Sequence, residues 1–164
     1  MKEQPATVFV IDDDEAVRDS LRLLLKSVGL PVRTCASAQE FLPVYNPRQA
    51  GCLVLDIRMP GMSGLELQQQ LNVRGATIPV IFVTGHGDIP MAVEAMQHGA
   101  FDFLQKPFRD QDLIDRVQRA LERDATIRAQ LQATDRIREH MAAVTPGERE
   151  VLGLVTAGKP NKVM

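Results

Sequence analysis

Short apolar runs rich in β-branched residues alternate along the chain with segments whose apolar residues recur about every 3.6 positions. Runs of the first kind predict β-strands, and segments of the second kind predict helices that bury one face. Five such runs occur, at residues 7–11, 31–35, 52–56, 79–84 and 102–106. The first, third and fourth runs are continuously apolar, which is typical of parallel strands buried on both faces. The alternation therefore predicts five βα units and a doubly wound α/β domain.

Capping residues mark the ends of the predicted helices. Asp14 is suited to be the N-cap of the first helix, and Gly29 lies just past its end. The sequences GLELQQQLN and DIPMAVEAMQHG predict two more helices, and Gly99 closes the second of them. Residues 109–142 contain neither glycine nor proline, so we expect one long, highly charged helix there.

The last third of the chain leaves the α/β pattern. Apolar positions of the long helix become sparse after Asp124, where they are Ile127, Leu131, Ile137 and Met141. This spacing is compatible either with a solvated connecting helix or with a weak coiled coil between two copies. We therefore expect an α/β domain at residues 1–124 and a linker helix at residues 125–143.

A new helical start follows the linker. Thr145 is suited to be an N-cap, Pro146 takes the first helical position, and Glu148 completes a capping box. Residues 144–164 therefore predict the beginning of another helical segment, which we expect to be cut short.

Composition and charge exclude several classes of protein. The net charge of −2 predicts no strong attraction to nucleic acid or to an anionic membrane from charge alone. Cys35 and Cys52 form neither a CxxC pair nor a metal-binding spacing, which indicates buried thiols in a reducing compartment. No apolar run approaches the ~20 residues that span a bilayer, and the N-terminal sequence MKEQPATVF has no signal-peptide character. We expect a cytoplasmic protein.

Polar residues follow four of the predicted strands at their carboxyl ends. They are Asp12 and Asp13 after the first strand, Asp56 at the third, Thr84 at the fourth and Lys106 at the fifth. Ligands of open parallel sheets bind at this edge of the sheet. Two adjacent carboxylates that face a third one form a compact set of hard oxygen ligands, which suits Mg²⁺.

The residue types at these strand ends indicate phosphoryl chemistry. A carboxylate at position 56, beside a divalent cation, can attack a phosphoryl group and become an aspartyl phosphate. Gly61 and Gly64 let the following loop turn closely around it. Lys106 would pair with a phosphoryl oxygen, its Lys–Pro peptide is open to the cis form, and the Thr84 hydroxyl would bond an oxygen that appears only after phosphorylation. Each residue alone also has a plain structural interpretation, and only their order at consecutive strand ends is specific.

At this point the sequences VIDDDE, DIRMPGMSGLELQ and VTGHGDIPMAVEAMQHGAFDFLQKPF resemble the motifs of bacterial two-component response regulators of the FixJ/NarL subfamily. The resemblance implies a flavodoxin-like receiver domain with strand order 2-1-3-4-5. It also implies that Asp56 is the phosphoacceptor and that the cofactor is Mg²⁺, or Mn²⁺. The implied metal ligands are Asp13, Asp56 and the backbone carbonyl of Arg58, with Asp12 contributing through water.

The same resemblance assigns the remaining strand-end residues to a switch. It implies that Thr84 is the switch hydroxyl and that Lys106 bridges to the phosphate. Phe103 matches the aromatic switch position and is expected to turn inward when Thr84 moves. The implied homodimer forms on phosphorylation through the face of the fourth helix and fifth strand, where the apolar residues are Ile89, Pro90, Val93 and Phe103.

The end of the chain carries a second resemblance. The sequence VTPGEREVLGLVTAGKPNKVM is similar to the opening of a LuxR-type helix-turn-helix domain. Its recognition helix would lie beyond residue 164, and DNA reading needs that helix in the major groove. The implied partners are a sensor histidine kinase and, for the intact protein, promoter DNA and RNA polymerase. We expect this chain itself not to bind its operator specifically.

Two alternatives stay open. An aspartyl-phosphate phosphatase or phosphotransferase acting on a small molecule would be favoured by a cap domain beside the D-x-D nucleophile, and the sequence shows no cap domain. We therefore expect no enzyme activity beyond self-phosphorylation and self-dephosphorylation. A stand-alone receiver that acts as a phosphate sink or interaction module is the second alternative, and the LuxR-like opening argues against it.

Overall fold

The chain folds into a five-stranded parallel sheet in the computed structural model, which describes residues 6–85 and 88–143, with side chains to residue 134. The strands are β1 (Thr7–Ile11), β2 (Val32–Cys35), β3 (Gly51–Asp56), β4 (Val80–Thr84) and β5 (Asp102–Gln105). The helices are α1 (Glu15–Ser27), α2 (Ala38–Phe41), α3 (Gly64–Val73), α4 (Ile89–Gln97) and α5 (Asp110–Ala143). Every predicted strand boundary agrees with the structure to within one residue.

The strand order is β2-β1-β3-β4-β5, with all neighbours parallel. This topology confirms the predicted doubly wound fold of the flavodoxin-like type. Because β1 and β3 are adjacent, the residues that follow their carboxyl ends lie side by side. The order therefore decides which strand-end side chains can meet.

Alternate residues of the central strands enter two separate cores, one on each face of the sheet. Phe9 and Leu53 belong to the core that α3 covers, and Val10 and Val54 belong to the core that α1 and α5 cover. Burial on both faces explains why these strands are continuously apolar. It confirms the two-sided burial that the sequence predicts for β1, β3 and β4.

The second βα unit differs from its neighbours. Its helix α2 is a single turn, and a 3₁₀ turn at Leu42–Val44 continues it. Pro43 lies in that turn, and proline cannot donate the backbone hydrogen bond that an α-helix would need there. The helix is therefore too short to be located by periodicity alone.

The helix α5 is buried mainly in its first part. Leu113 and Val117 are fully buried, whereas Leu131 is exposed. Its observed limits agree with the long helix predicted at residues 109–142. Ile137 and Met141 lie outside the described side chains, and the predicted helix-turn-helix opening at residues 144–164 lies outside the described residues. Within the part of the chain that is described, no helix combines the length and apolar character needed to cross a bilayer.

One buried hydrogen bond attaches α5 to the amino end of β3. The Asp124 side chain is 1% exposed, and its Oδ2 accepts the backbone N–H of Gly51 at 2.9 Å. Gly51 is a glycine for steric reasons, since a Cβ there would lie 2.1 Å from the carbonyl oxygen of Thr7. The contact ties the strand that carries Asp56 to the helix that leads out of the domain.

We predict that Asp124→Ala lowers the free energy of unfolding by about 1–3 kcal/mol, because it leaves the buried N–H of Gly51 without its acceptor. Asp124→Asn keeps an acceptor oxygen and should cost less. Urea denaturation measures both, with Glu122→Ala, an exposed position of the same helix, as the control. Equal effects at positions 122 and 124 would contradict the prediction.

Candidate metal centre at the carboxyl ends of the strands

The loop from β1 to α1 fixes the first acidic pair. Asp14 is the N-cap of α1, as predicted, and its Oδ1 accepts the N–H of Ala16 at 2.9 Å. Asp12 is buried; its Oδ1 accepts the N–H of Asp14 at 2.9 Å, and its carbonyl oxygen accepts Nη1 of Arg18 at 2.7 Å. Asp13, between them, is exposed. One acid is therefore held rigidly and its neighbour faces solvent.

Asp56 is the last residue of β3, and the loop that follows returns closely to it. A Cβ on Gly64 would lie 2.3 Å from the carbonyl oxygen of Asp56, so only glycine permits this approach. Gly61 has φ of 76°, a conformation that favours glycine. Ser63 and Glu66 form a capping box at the start of α3. The loop is thus fixed at both ends around the Asp56 carboxylate.

The three acids form one cluster. A carboxylate oxygen from each of Asp12, Asp13 and Asp56 lies within 4.8 Å of the other two. The Nζ of Lys106 lies 3.6 Å from Oδ2 of Asp12, and its peptide to Pro107 is cis. Three carboxylates against one ammonium leave the cluster negative. Hard oxygen donors in this number, with room for water on the exposed side, fit a divalent cation such as Mg²⁺ or Mn²⁺.

Burial and the charges of neighbouring carboxylates raise the pKa of Asp56 and of Asp12. Burial is the main cause that raises the pKa of Asp56 to about 6, the charge of Asp12 adds to it, and Lys106 opposes it. Burial also raises the pKa of Asp12, against the hydrogen bond from Asp14 and the charge of Lys106. The folded chain therefore holds carboxylates whose ionised forms are disfavoured until a cation or a proton relieves them.

The two predicted switch residues lie on β4 and β5. Thr84 is fully buried, and its hydroxyl donates to the carbonyl oxygen of Leu104 at 3.3 Å. Phe103 is half-buried and packs against the core that α3 covers. Thr84 therefore has a partner on β5 in this state, and its hydroxyl would have to leave that partner to bond anything else.

The metal-ligand set predicted from the sequence also includes the backbone carbonyl of Arg58. The backbone N–H of Arg58 bonds the Asp56 carboxylate and lowers its pKa, against the burial that raises it. The structure therefore brings together Asp12, Asp13, Asp56 and Lys106, and it places Arg58 directly beside Asp56. Thr84 and Phe103 are on the neighbouring strands and are not part of the carboxylate cluster.

Sequence analysis missed one charged contact beside the site. The Nε of Arg58 lies 2.6 Å from Oδ1 of Asp88, and the Asp88 side chain is only 7% exposed. The partners are 30 residues apart and belong to different loops, so no local pattern indicates the pair.

Comparison with known proteins gives the family. The model of the response regulator receiver domain matches residues 8–118. Transcriptional regulatory protein FixJ of Azorhizobium caulinodans is 49% identical over 157 residues, which cover 96% of this chain and 74% of that protein. Nodulation protein W of Bradyrhizobium diazoefficiens is 48% identical over 157 residues, which cover 96% of this chain and 69% of that protein.

Solved structures agree with this result. The response regulator StyR superposes with a TM-score of 0.87 at 47% identity, covering 97% of this chain and 80% of that one. The FixJ-N crystal structure gives a TM-score of 0.69 at 48% identity, covering 73% of this chain and 95% of that one. The chain therefore belongs to the response regulator receiver domain family, and its α/β domain is the receiver of a two-component response regulator.

Proposed function

We propose that this chain is a phosphorylation switch whose Asp56 accepts a phosphoryl group from the histidine of a sensor kinase. The joint placement of Asp12, Asp13, Asp56 and Lys106 carries the proposal, because it combines a nucleophile, a cation site and a fixed positive charge. The chain acts on no separate small-molecule substrate, and its own chemistry is limited to gaining and losing this phosphoryl group.

The transfer needs the ionised form of Asp56. A carboxylate oxygen of Asp56 attacks the phosphorus atom, the phosphorus–nitrogen bond of the phosphohistidine breaks, and its electron pair returns to the imidazole. Asp12, Asp13, Asp56 and the Arg58 carbonyl would hold the divalent cation. When bound, that cation neutralises the carboxylates and polarises the transferring phosphoryl oxygens. Lys106 pairs with a phosphoryl oxygen by charge-assisted hydrogen bonding.

The phosphorylated state is then read on the side of α4 and β5. The Thr84 hydroxyl leaves the carbonyl oxygen of Leu104 and bonds a phosphoryl oxygen, and the Phe103 side chain then turns inward. These two movements shift the population between two conformations. Three apolar side chains of α4 are exposed, at 38% for Ile89, 48% for Val93 and 38% for Met96. Together with Pro90, this face supports a homodimer formed on phosphorylation. In the intact protein, dimerisation would bring two LuxR-type domains to promoter DNA and RNA polymerase, as the names of the relatives indicate for transcription.

The direct test is the intact mass of the chain after incubation with Mg²⁺ and a small phosphodonor. We expect the parent to gain one phosphoryl group and Asp56→Asn to gain none. Removing the metal with a chelator should abolish the gain. A folded parent that gains no mass would contradict the proposed phosphorylation of Asp56.

Stability gives a second prediction that needs no phosphodonor. The pKa of Asp56 is raised to about 6 in the folded chain, so the native state binds this proton more tightly than the unfolded state does. The free energy of unfolding therefore falls as the pH rises from about 4 to about 6 and stays lower above that. Asp56→Asn carries no charge and should be more stable than the parent at pH 7.5 without metal, by about 1–3 kcal/mol.

Thermal denaturation between pH 4 and pH 8 measures this difference. The extra stability of Asp56→Asn over the parent should shrink towards zero near pH 4, where the parent carboxyl is also neutral. Mg²⁺ should stabilise the parent more than the variant. Glu122→Gln removes an exposed carboxylate of α5 and serves as the control. A pH-independent gain from Asp56→Asn would show that charge repulsion is not its cause.

Thr84→Ala tests the link between phosphorylation and dimerisation. The variant should accept the phosphoryl group but lack the hydroxyl that bonds it, and a hydrogen bond to a charged group contributes about 1.5–3 kcal/mol. We expect the dimer of the phosphorylated variant to dissociate about tenfold more readily than that of the parent, measured by sedimentation. Thr84→Ser keeps the hydroxyl and should behave as the parent does. A parent that is phosphorylated and stays monomeric would favour the phosphate-sink function instead.

A further inference from the structure

Helix α4 is held to the domain by little apolar burial. Its fully buried side chains are those of Ala92 and Ala95, and Met91 is partly buried against the core that α3 covers. Burial of an alanine methyl group removes much less apolar surface from water than burial of a leucine or isoleucine side chain does. Polar contacts at the two ends of α4 therefore carry an unusually large share of its attachment.

The carboxyl end of α4 is fixed by two amide side chains of α3. Nε2 of Gln68 donates to the carbonyl oxygen of Ala95 at 2.9 Å, and Nδ2 of Asn72 donates to the carbonyl oxygen of His98 at 3.0 Å. Carbonyl groups in the last turn of a helix have no partner within the helix. The carbonyl oxygen of Ala95 also accepts the backbone N–H groups of His98 and Ala100, so the Gln68 bond adds to a helix end that is already closed. Both side-chain bonds anchor this end to α3.

The amino end of α4 is held differently. Asp88 is the N-cap residue, but its side chain makes no capping hydrogen bond to the helix. Its carboxylate is instead paired with Arg58 at 2.6 Å, across to the loop between β3 and α3. An N-cap aspartate ordinarily accepts a backbone N–H of the first turn. At this end of α4 the ion pair therefore replaces the cap.

Arg58 also lies near the phosphoacceptor, since it follows Asp56 by two residues at the carboxyl end of β3. A guanidinium binds a phosphoryl group in preference to a carboxylate, because the phosphoryl group carries more negative charge and holds its oxygens in a fixed geometry. A phosphoryl group on Asp56 and the carboxylate of Asp88 are thus two anions within the reach of one chain segment. The Arg58 guanidinium is 68% exposed, so it is free to change partners.

We propose that the Arg58–Asp88 ion pair is a latch that holds the first turn of α4 to the β3–α3 loop in the unphosphorylated chain. Its release by a phosphoryl group on Asp56 rests on the function proposed above, whereas the latch itself does not. Once Arg58 leaves Asp88, α4 turns about its anchored carboxyl end. Ile89, in the first turn, then moves further than Met96, in the last.

Hydrogen exchange of the α4 amides in the unphosphorylated chain tests the latch. Arg58→Gln leaves the Asp88 carboxylate buried without its partner, so exchange at Ala92–Glu94 should rise by about tenfold. Asp88→Asn removes the charge that needs pairing and should raise it by only about threefold. The double variant should resemble Asp88→Asn, because no unpaired buried charge remains.

Two internal controls accompany these variants. Glu94→Gln removes one negative charge from an exposed position of the same helix and should leave the exchange unchanged. The amide of His98 bonds the carbonyl oxygens of Glu94 and Ala95 in the anchored end and should keep its protection in every variant. Unchanged exchange at Ala92–Glu94 in Arg58→Gln would overturn the latch, and so would an effect that the double variant does not reverse.

A phosphodonor arm tests the release. In the phosphorylated parent, verified by its mass and diluted until it is monomeric, exchange at Ala92–Glu94 should rise to the level of unphosphorylated Arg58→Gln, because the Asp88 carboxylate again loses its partner. A phosphorylated parent with unchanged exchange would overturn the release. A parent that gains no phosphoryl group would overturn the proposed function and the release together, and the unphosphorylated comparison would still decide the latch.

Discussion

Mutual repulsion of three carboxylates at one edge of the sheet is the constraint on which the site depends. Asp12, Asp13 and Asp56 converge because β1 and β3 are parallel neighbours, and Lys106 reaches Asp12 from the end of β5. One ammonium does not balance three carboxylates, and burial makes the remaining charge costly. The pKa of Asp56, raised to about 6, expresses that cost. We therefore expect the folded chain to be more stable with a cation bound than without one. This dependence links its stability to its proposed chemistry.

The molecule divides into a rigid centre and a loosely attached side. The acids stand at the ends of β1 and β3, whose side chains fill two cores, and a capping box and close glycine packing fix the loop after Asp56. On the other side, β5 is an edge strand, and the fully buried side chains of α4 are two alanines. A reactive group needs fixed geometry, whereas a switching element needs two arrangements that differ by a few kcal/mol. The distribution of packing provides both within one sheet.

Two kinds of feature could be predicted from the sequence: the helices and strands, from the period of the apolar residues, and the site, from the polar residues at the ends of the strands. Short runs rich in β-branched and apolar residues located every strand, and parallel alignment then placed Asp12, Asp13, Asp56 and Lys106 at one edge. The length of α2 did not follow, because Pro43 limits a helix too short to show a period. Neither did the contacts from Arg58 to Asp88 and from Asp124 to Gly51, which join residues 30 and 73 positions apart. Such pairs depend on how loops and helix ends meet in three dimensions, and no local pattern records them.

The exposed apolar face of α4 affects how much free energy is needed to shift the proposed switch from one conformation to the other. Ile89, Val93 and Met96 remain partly in water in the single chain, at a cost that association with a second copy would recover. The same helix is held by two small buried side chains and by contacts at its ends. A helix that is weakly held in one state and gains burial in the other lies close to balance between them. Under the proposed phosphorylation of Asp56, redirecting Thr84 and Arg58 by a few hydrogen bonds would supply energy of the right order to shift that balance.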